Sequence, residues 1–247
     1  MTRDPEPMEP TDSDASYLAG LLALTVATGL VDAVSYLALD HVFTGNMTGN
    51  VLFVGFGLTG SGQVPLLNNA VALVGFLAGA IVAGRLVHGR THVTRLPTAH
   101  LLVLFGTAAT VLVTGAAWLV LGAPAGERLI GLTALLATAM GMQAVVARGT
   151  RISDVTTVVI TSTLVNFALD SPLAGGTGDK WVRRAGAVVS MGAGGTFGAL
   201  LISAWSGAGA LLVAGACMTL GAIGLGVARH REGRRAAGTR TIPERTG

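Results

Sequence analysis

Thr28–Asn50 reads TGLVDAVSYLALDHVFTGNMTGN. A single carboxylate, Asp32, sits inside an apolar run. The run then breaks into a short stretch of Thr, Asn and Gly that stays apolar enough to lie in a membrane. Charge and irregular backbone are costly at membrane depth, and they mark polar pathways or ligand sites when they occur there. The fold turns on whether the stretch after Leu39 crosses the membrane or only enters it.

The surrounding composition is that of a polytopic membrane protein. Of 247 residues, 51% are hydrophobic and 12% charged, against about 25% charged in soluble domains. Mean hydropathy is +0.66. The 36 glycines suit helices that approach closely in lipid. The lone Cys217 lies in an apolar run, so no disulfide forms within the chain and no Cys-based metal site is expected. The first 16 residues are acidic and contain proline, unlike the basic start of a cleaved signal peptide, and read as a disordered cytoplasmic tail. Residues 230–247 read as a basic cytoplasmic tail in contact with anionic lipid. The basic residues flank apolar segments, so the pI near 9.7 follows from membrane topology and nucleic acid is not an expected partner.

Eight apolar segments can be drawn: 17–39, 42–59, 66–87, 99–121, 129–147, 155–169, 185–204 and 208–228. Crossing takes roughly 20 helical residues. The second and sixth are short and rich in Thr and Asn. If all eight cross, either orientation puts a group of arginines outside: Arg90, Arg95, Arg148 and Arg151, or Lys180, Arg183, Arg184 and the carboxyl tail. If segments two and six only dip into the membrane, every Lys and Arg except Arg128 falls on the cytoplasmic side, as the positive-inside rule requires. The expected fold is therefore all-α, with six spanning helices plus two short re-entrant or broken segments. Both termini are expected in the cytoplasm of a bacterial cell, with the chain in its inner membrane.

The two halves, 17–121 and 122–229, share an order of landmarks. Thr28-Gly29 before Asp32 lines up with Met140-Gly141 before Gln143. Thr44–Asn50 lines up with Thr156–Thr163, and Gly75-x-x-x-Gly79 with Gly194-x-x-x-Gly198. Three crossings per half make the second copy inverted. Inverted repeats with interrupted helices at matching positions are a transporter signature.

The strings Gly29-Leu-Val-Asp32-Ala-Val-Ser35-Tyr36, Val42-Phe43-Thr44 and Asn46-Met47-Thr48-Gly49-Asn50, with the Met140-Gly141-Met-Gln143 step, resemble the YoaK family of bacterial integral membrane proteins. The resemblance covers most of Tyr17–Ala228. It implies an inner-membrane protein and supplies no substrate. One departure is Ala144, where the family is expected to carry a polar residue after Gln143.

The residues must then carry the functional reading. Asp32 is a candidate proton carrier; alternatively it caps the broken segment that follows. The expected solute- or ion-lining set is Asp32, Ser35, Asn46, Thr48, Asn50, Gln143, Thr157 and Thr161. For Asn46, Thr48 and Asn50 the alternative is satisfaction of broken backbone. For the threonines it is bonding back to their own helix, and for Gln143 an interhelical hydrogen bond. The Gly-x-x-x-Gly pairs read as packing within the bundle, with self-association into a homo-oligomer the lesser alternative. His88 and His92 are i, i+4 but lack a third ligand, so no metal site is expected. No cofactor fingerprint, catalytic triad or paired acid and base is present, so enzymatic activity is not expected. The leading expectation is a small secondary transporter or exporter of a small solute, with proton coupling. The alternative is a passive channel or scaffold in which Asp32 and the MTGN box are structural.

Overall fold

In a computed structural model, residues 12–61, 64–88, 96–150, 160–178 and 180–239 are described. Among them the chain is helical, in eight helices: α1 Asp12–Val34, α2 Met47–Leu58, α3 Leu66–Val87, α4 Thr98–Leu121, α5 Glu127–Gly149, α6 Ile160–Leu169, α7 Trp181–Ala204 and α8 Gly207–Thr239. A π-helical turn, Ser35–Asp40, extends α1. Six helices are long and apolar enough to cross a membrane: Ala15–Asp40, α3, α4, α5, α7 and Gly207–Arg234. The 12 residues of α2 and 10 of α6 rise only about 18 and 15 Å, too short for a hydrocarbon core of about 30 Å. Segment two is thus a short helix, as the arginine distribution requires, and so is the described part of segment six, Ile160–Leu169.

Two boundaries differ from expectation. Helix α1 starts at Asp12, inside the stretch read as a tail, and α8 runs ten residues past Arg229, to Thr239. The reason is mutual docking. Tyr17 Oη donates to Glu232 Oε2 at 2.8 Å, and Arg231 reaches Ser16 Oγ at 3.3 Å. The basic end of α8 is held as helix against the start of α1. The loop carrying Arg90 and Arg95, together with Arg151, Thr156 and Thr157, lies outside the described residues.

Helix α1 is the axis of the bundle. The apolar window of its span is 67% buried, against 17–44% for the other five. It packs on α7 and α8; α3 packs on α5; α4 packs on α5 and α8; α2 lies on α3 and α6 on α7. Leu21, Leu24, Leu30 and Val31 of α1 join Leu211, Met218 and Leu225 of α8 in the core. The outer faces carry exposed Leu77, Ile81, Val113, Leu200 and Leu220, a surface suited to lipid.

Glycines set the closest approaches. A methyl group on Gly194 would collide with the Val26 carbonyl of α1, and one on Gly79 with the Thr138 carbonyl of α5. Both Gly-x-x-x-Gly pairs thus face helices of the same chain.

At the end of the bundle where α6 meets α7, the buried Arg184 donates to the Asn166 carbonyl at 2.6 Å and pairs with Asp170 at 2.6 Å. We expect Arg184→Ala to loosen α6, since a charged hydrogen bond contributes about 1.5–3 kcal/mol. Amide exchange over residues 160–170 should then rise at least about tenfold, while α1 stays protected. Unchanged exchange would show that α6 is held by its apolar contacts alone.

Candidate functional site

The site begins where α1 stops being regular. Its α-helical hydrogen bonding ends at Val34, Ser35–Asp40 winds as a π-turn, and Leu39 leaves helical geometry altogether (φ −106°, ψ −111°). His41 then adopts a left-handed φ of 49°, and the chain reverses. Residues 42–46 run back along α1, and α2 starts at Met47. Turns of this π type concentrate at functional positions.

Asp32 fixes how deep the returning chain goes. The backbone N–H groups of Thr44 and Gly45 donate to its Oδ1 at 3.0 and 2.7 Å. Asp32 lies eight residues before Asp40, about 12 Å along a helix. The segment 41–58 therefore descends to Asp32, turns, and climbs back as α2: a re-entrant hairpin. Gly45 sits so close that a Cβ there would press on both carboxylate oxygens and on the Thr28 methyl. Thr44 Oγ1 donates to Ser35 Oγ at 3.4 Å, and Ser35 Oγ donates to the Asp32 carbonyl at 3.2 Å.

Asn50 closes the hairpin. From the first turn of α2 its Nδ2 donates to the Phe43 carbonyl at 2.5 Å, and its Oδ1 accepts from the Phe43 N–H at 3.0 Å. One side chain thereby satisfies both backbone groups of a residue that has no helix to join, which a membrane interior demands. Gly49 makes room, because a Cβ there would meet the Phe43 ring. Phe43 in turn stacks on Tyr36, centroids 4.8 Å apart.

The Asn46 N–H and the Thr44 hydroxyl also face the Asp32 carboxylate, but its geometrically well-formed hydrogen bonds all go to Oδ1. Asp32 is 5% exposed, and its Oδ2 is buried with no hydrogen-bond partner. Beside it lies a cavity of about 300 Å³. Gly29, Asp32, Ala33, Tyr36 and Leu37 of α1 line it, with Phe43 and Asn46 of the returning limb and Met191 and Gly195 of α7.

The expected lining residues separate into groups. Asp32 and Asn46 border the cavity. Ser35 and Asn50 are buried beside it as supports. Gln143 is buried on α5, where Nε2 donates to Thr28 Oγ1 at 3.0 Å while Oε1 has no partner; it makes the interhelical bond. Thr48 and Thr161 are exposed and border no part of this cavity. Thr157 lies outside the described residues. Thr28, Tyr36, Phe43, Thr44 and Met191 complete the surroundings. Of these, Thr28, Tyr36 and Thr44 carry a polar group that the sequence displays. Among the described residues no group of three His, Cys, Asp or Glu side chains could hold a metal ion.

Comparison with known proteins agrees with this architecture. No solved structure matches the chain. The UPF0700 transmembrane protein YoaK of Bacillus subtilis (strain 168) is 35% identical over 157 residues, 63% of this chain and 68% of the relative. Residues 20–224 match the family described as "Protein of unknown function (DUF1275)". That match covers α2, α3, α4, α5, α6 and α7 whole and most of α1 and α8, so the chain is an integral membrane protein of the DUF1275 family, to which the Asp32 and MTGN strings pointed.

Proposed function

We propose that the protein is a small secondary transporter in which Asp32 carries the coupling proton and the adjoining cavity takes the solute. The observation that carries this reading is the division of labour at Asp32. Oδ1 holds the re-entrant hairpin, while Oδ2 is left without a partner beside a cavity. Asn68 Oδ1, Asn69 Oδ1 and Gln143 Oε1 are also buried without a partner, but only Asp32 among these side chains can ionise, and only it lines the cavity.

Internal symmetry supports the same reading. Gly29 abuts the Met191 carbonyl and Gly195 N, and Gly194 abuts the Val26 carbonyl. In the other half Gly141 abuts the Phe76 carbonyl and Ala80 N, and Gly79 abuts the Thr138 carbonyl. The spacings are identical: 26 and 29 against 191, 194 and 195; 138 and 141 against 76, 79 and 80. By this geometry Gly79 corresponds to Gly194, one helical turn from the alignment of Gly75 with Gly194. Exchanging α1–α4 with α5–α8 also maps each helix pair onto another. The pair α1–α7 becomes α5–α3, α1–α8 becomes α5–α4, α2–α3 becomes α6–α7, and α4–α8 maps onto itself. An inverted repeat of this kind supplies two equivalent packings for alternating access.

The ends of the bundle support a cytoplasmic placement of both termini. Arg229 donates to Thr98 Oγ1, and Arg231 lies against Ser16. The starts of α1 and α4 and the basic end of α8 therefore share one end, which the positive-inside rule places in the cytoplasm.

The scaffold reading is favoured by the donors gathered on Asp32: the Thr44 and Gly45 N–H groups at hydrogen-bond distance, with the Asn46 N–H and the Thr44 hydroxyl also facing the carboxylate. Flux measurements separate the two. In proteoliposomes with an imposed pH gradient, Asp32→Asn should abolish proton-coupled movement of any solute whose handling changes on gene deletion. Asn50→Ala should reduce it at least about tenfold through loss of hairpin geometry. Unchanged flux in both variants would leave only the scaffold.

A further inference from the structure

We infer that the cavity beside Asp32 takes a small monovalent organic cation with an apolar or aromatic body, and that cation and proton exclude one another at Asp32, so that transport is exchange. This rests on the transporter reading above and names its substrate class.

The walls select the ligand. Among the described residues Asp32 is the one charged side chain lining the cavity, and no Lys or Arg borders it. A buried carboxylate at the edge of a mostly apolar cavity attracts a cation and repels an anion. Tyr36 and Phe43 present aromatic surface in the same cavity, and Leu37 and Met191 present aliphatic and thioether surface. Each of the two rings has one face covered by the other, and a cation within about 6 Å of a remaining face gains about 0.5–2 kcal/mol. Among the described residues the uncharged polar side chains lining the cavity are Asn46 and Tyr36. A strongly hydrated inorganic ion would find too few oxygens here. Divalent cations of the calcium type take 6–8 oxygen ligands, whereas the lining offers chiefly carbon. The volume, about 300 Å³, suits a molecule of one ring and a short substituent.

Exchange follows from the single carboxylate. Neutral Asp32 cannot hold a cation by charge, and a cation-paired Asp32 cannot keep its proton. Loading therefore releases one proton to water and forms one ion pair; unloading reverses both. The other titratable groups nearby are few. Tyr36 lines the cavity and His41 meets the Tyr36 ring edge-on at 5.2 Å. The α7 contribution, Met191 and Gly195, is not titratable, nor are Phe43 and Asn46.

The test uses the purified full chain in detergent with benzyltrimethylammonium, a permanent cation whose own charge does not change with pH. Benzyl alcohol and benzoate serve as neutral and anionic probes. Expected is saturable binding of the cation alone, weakening as pH falls because the proton takes its place. Asp32→Asn should weaken it at least about tenfold and remove the pH dependence, and Tyr36→Leu should weaken it about three- to tenfold while keeping that dependence. His41→Asn should preserve both affinity and pH dependence. Equal binding of benzoate, undiminished cation binding in Asp32→Asn, or pH dependence lost in His41→Asn would overturn the proposal. Tyr36→Leu keeps Asp32 and its backbone bonds, so it remains informative if Asp32→Asn does not fold. Proteoliposomes separate the two readings. Competitive cation binding without flux sinks the transporter but leaves the site. Asp32-dependent flux of a different solute, with no cation binding, keeps the transporter and sinks the cation class.

Discussion

Gly194→Ala and Gly79→Ala should each destabilise the protein by about 2–3 kcal/mol or more, near the upper range for overpacking a filled core. At both positions the added methyl would lie against a backbone carbonyl of the neighbouring helix, Val26 or Thr138. Backbone cannot rotate away as a side chain can, so the helices must separate. The α1–α7 and α3–α5 contacts each bring a second glycine, Gly29 or Gly141, against the facing backbone, so separation forfeits packing along the whole seam. Two nearby glycines provide the contrast. A Cβ on Gly192 or Gly84 meets nothing within 4 Å. Gly192→Ala and Gly84→Ala should therefore be neutral or stabilise by up to about 1 kcal/mol, because alanine restricts the unfolded chain. Thermal unfolding in detergent, read as the fraction remaining monodisperse, checks the ranking. If Gly194→Ala and Gly192→Ala melt together, the seam is not what holds α7 on α1. The proposed inverted repeat makes Gly79 and Gly194 equivalent positions, and on that proposal the two substitutions should cost similar amounts.

The spanning helices were legible because length, hydropathy and arginine placement are properties of sequence alone. Arg128 was the informative exception: it is the one Lys or Arg expected outside, and it sits in the first turn of α5 with Nη1 donating to the Leu121 carbonyl at the end of α4. Asp32 was legible because a carboxylate inside a span needs a reason. The lining set was only partly so. Asn46, Thr48 and Asn50 alternate in sequence and suggest one shared face, but α2 starts at Met47. From there the helical period of 3.6 sends Thr48 and Asn50 to different faces, one exposed and one buried. The partners of Asn50 were hidden for another reason. It bonds to the backbone of Phe43, and backbone carries no residue-type signal. Met191 was beyond reach because it joins Asp32 in lining the cavity only through the packing of α7 on α1. Tyr36 and Phe43 read as ordinary apolar residues until the chain reversal at His41 stacked them.

Asp32 itself should answer differently to its two isosteric replacements, and the difference separates structure from transport. Asp32→Leu removes the acceptor for the Thr44 and Gly45 N–H groups. Each buried donor left without a partner costs about 1–3 kcal/mol, so the hairpin 41–58 should lose about 2–6 kcal/mol and detach from α1. The Thr44–Ser35 hydroxyl contact would go with it, and Asn50 would be left holding a hairpin with no anchor at its tip. Asp32→Asn keeps an oxygen at Oδ1 and puts an amide where Oδ2 stands without a partner. That amide is buried with no acceptor, so Asp32→Asn should cost about 1–3 kcal/mol, but it keeps the acceptor for the Thr44 and Gly45 N–H groups and should leave the hairpin in place. Amide exchange of residues 43–50 is the direct measurement, strongly accelerated in Asp32→Leu and close to wild type in Asp32→Asn. If Asp32→Asn keeps the hairpin closed yet abolishes proton-coupled flux, the two oxygens have separate tasks, Oδ1 architectural and Oδ2 chemical. If Asp32→Asn opens the hairpin as far as Asp32→Leu does, the charge itself holds the turn. In that case the loss of flux would follow from lost structure, and the claim that Oδ2 is reserved for a proton would fail.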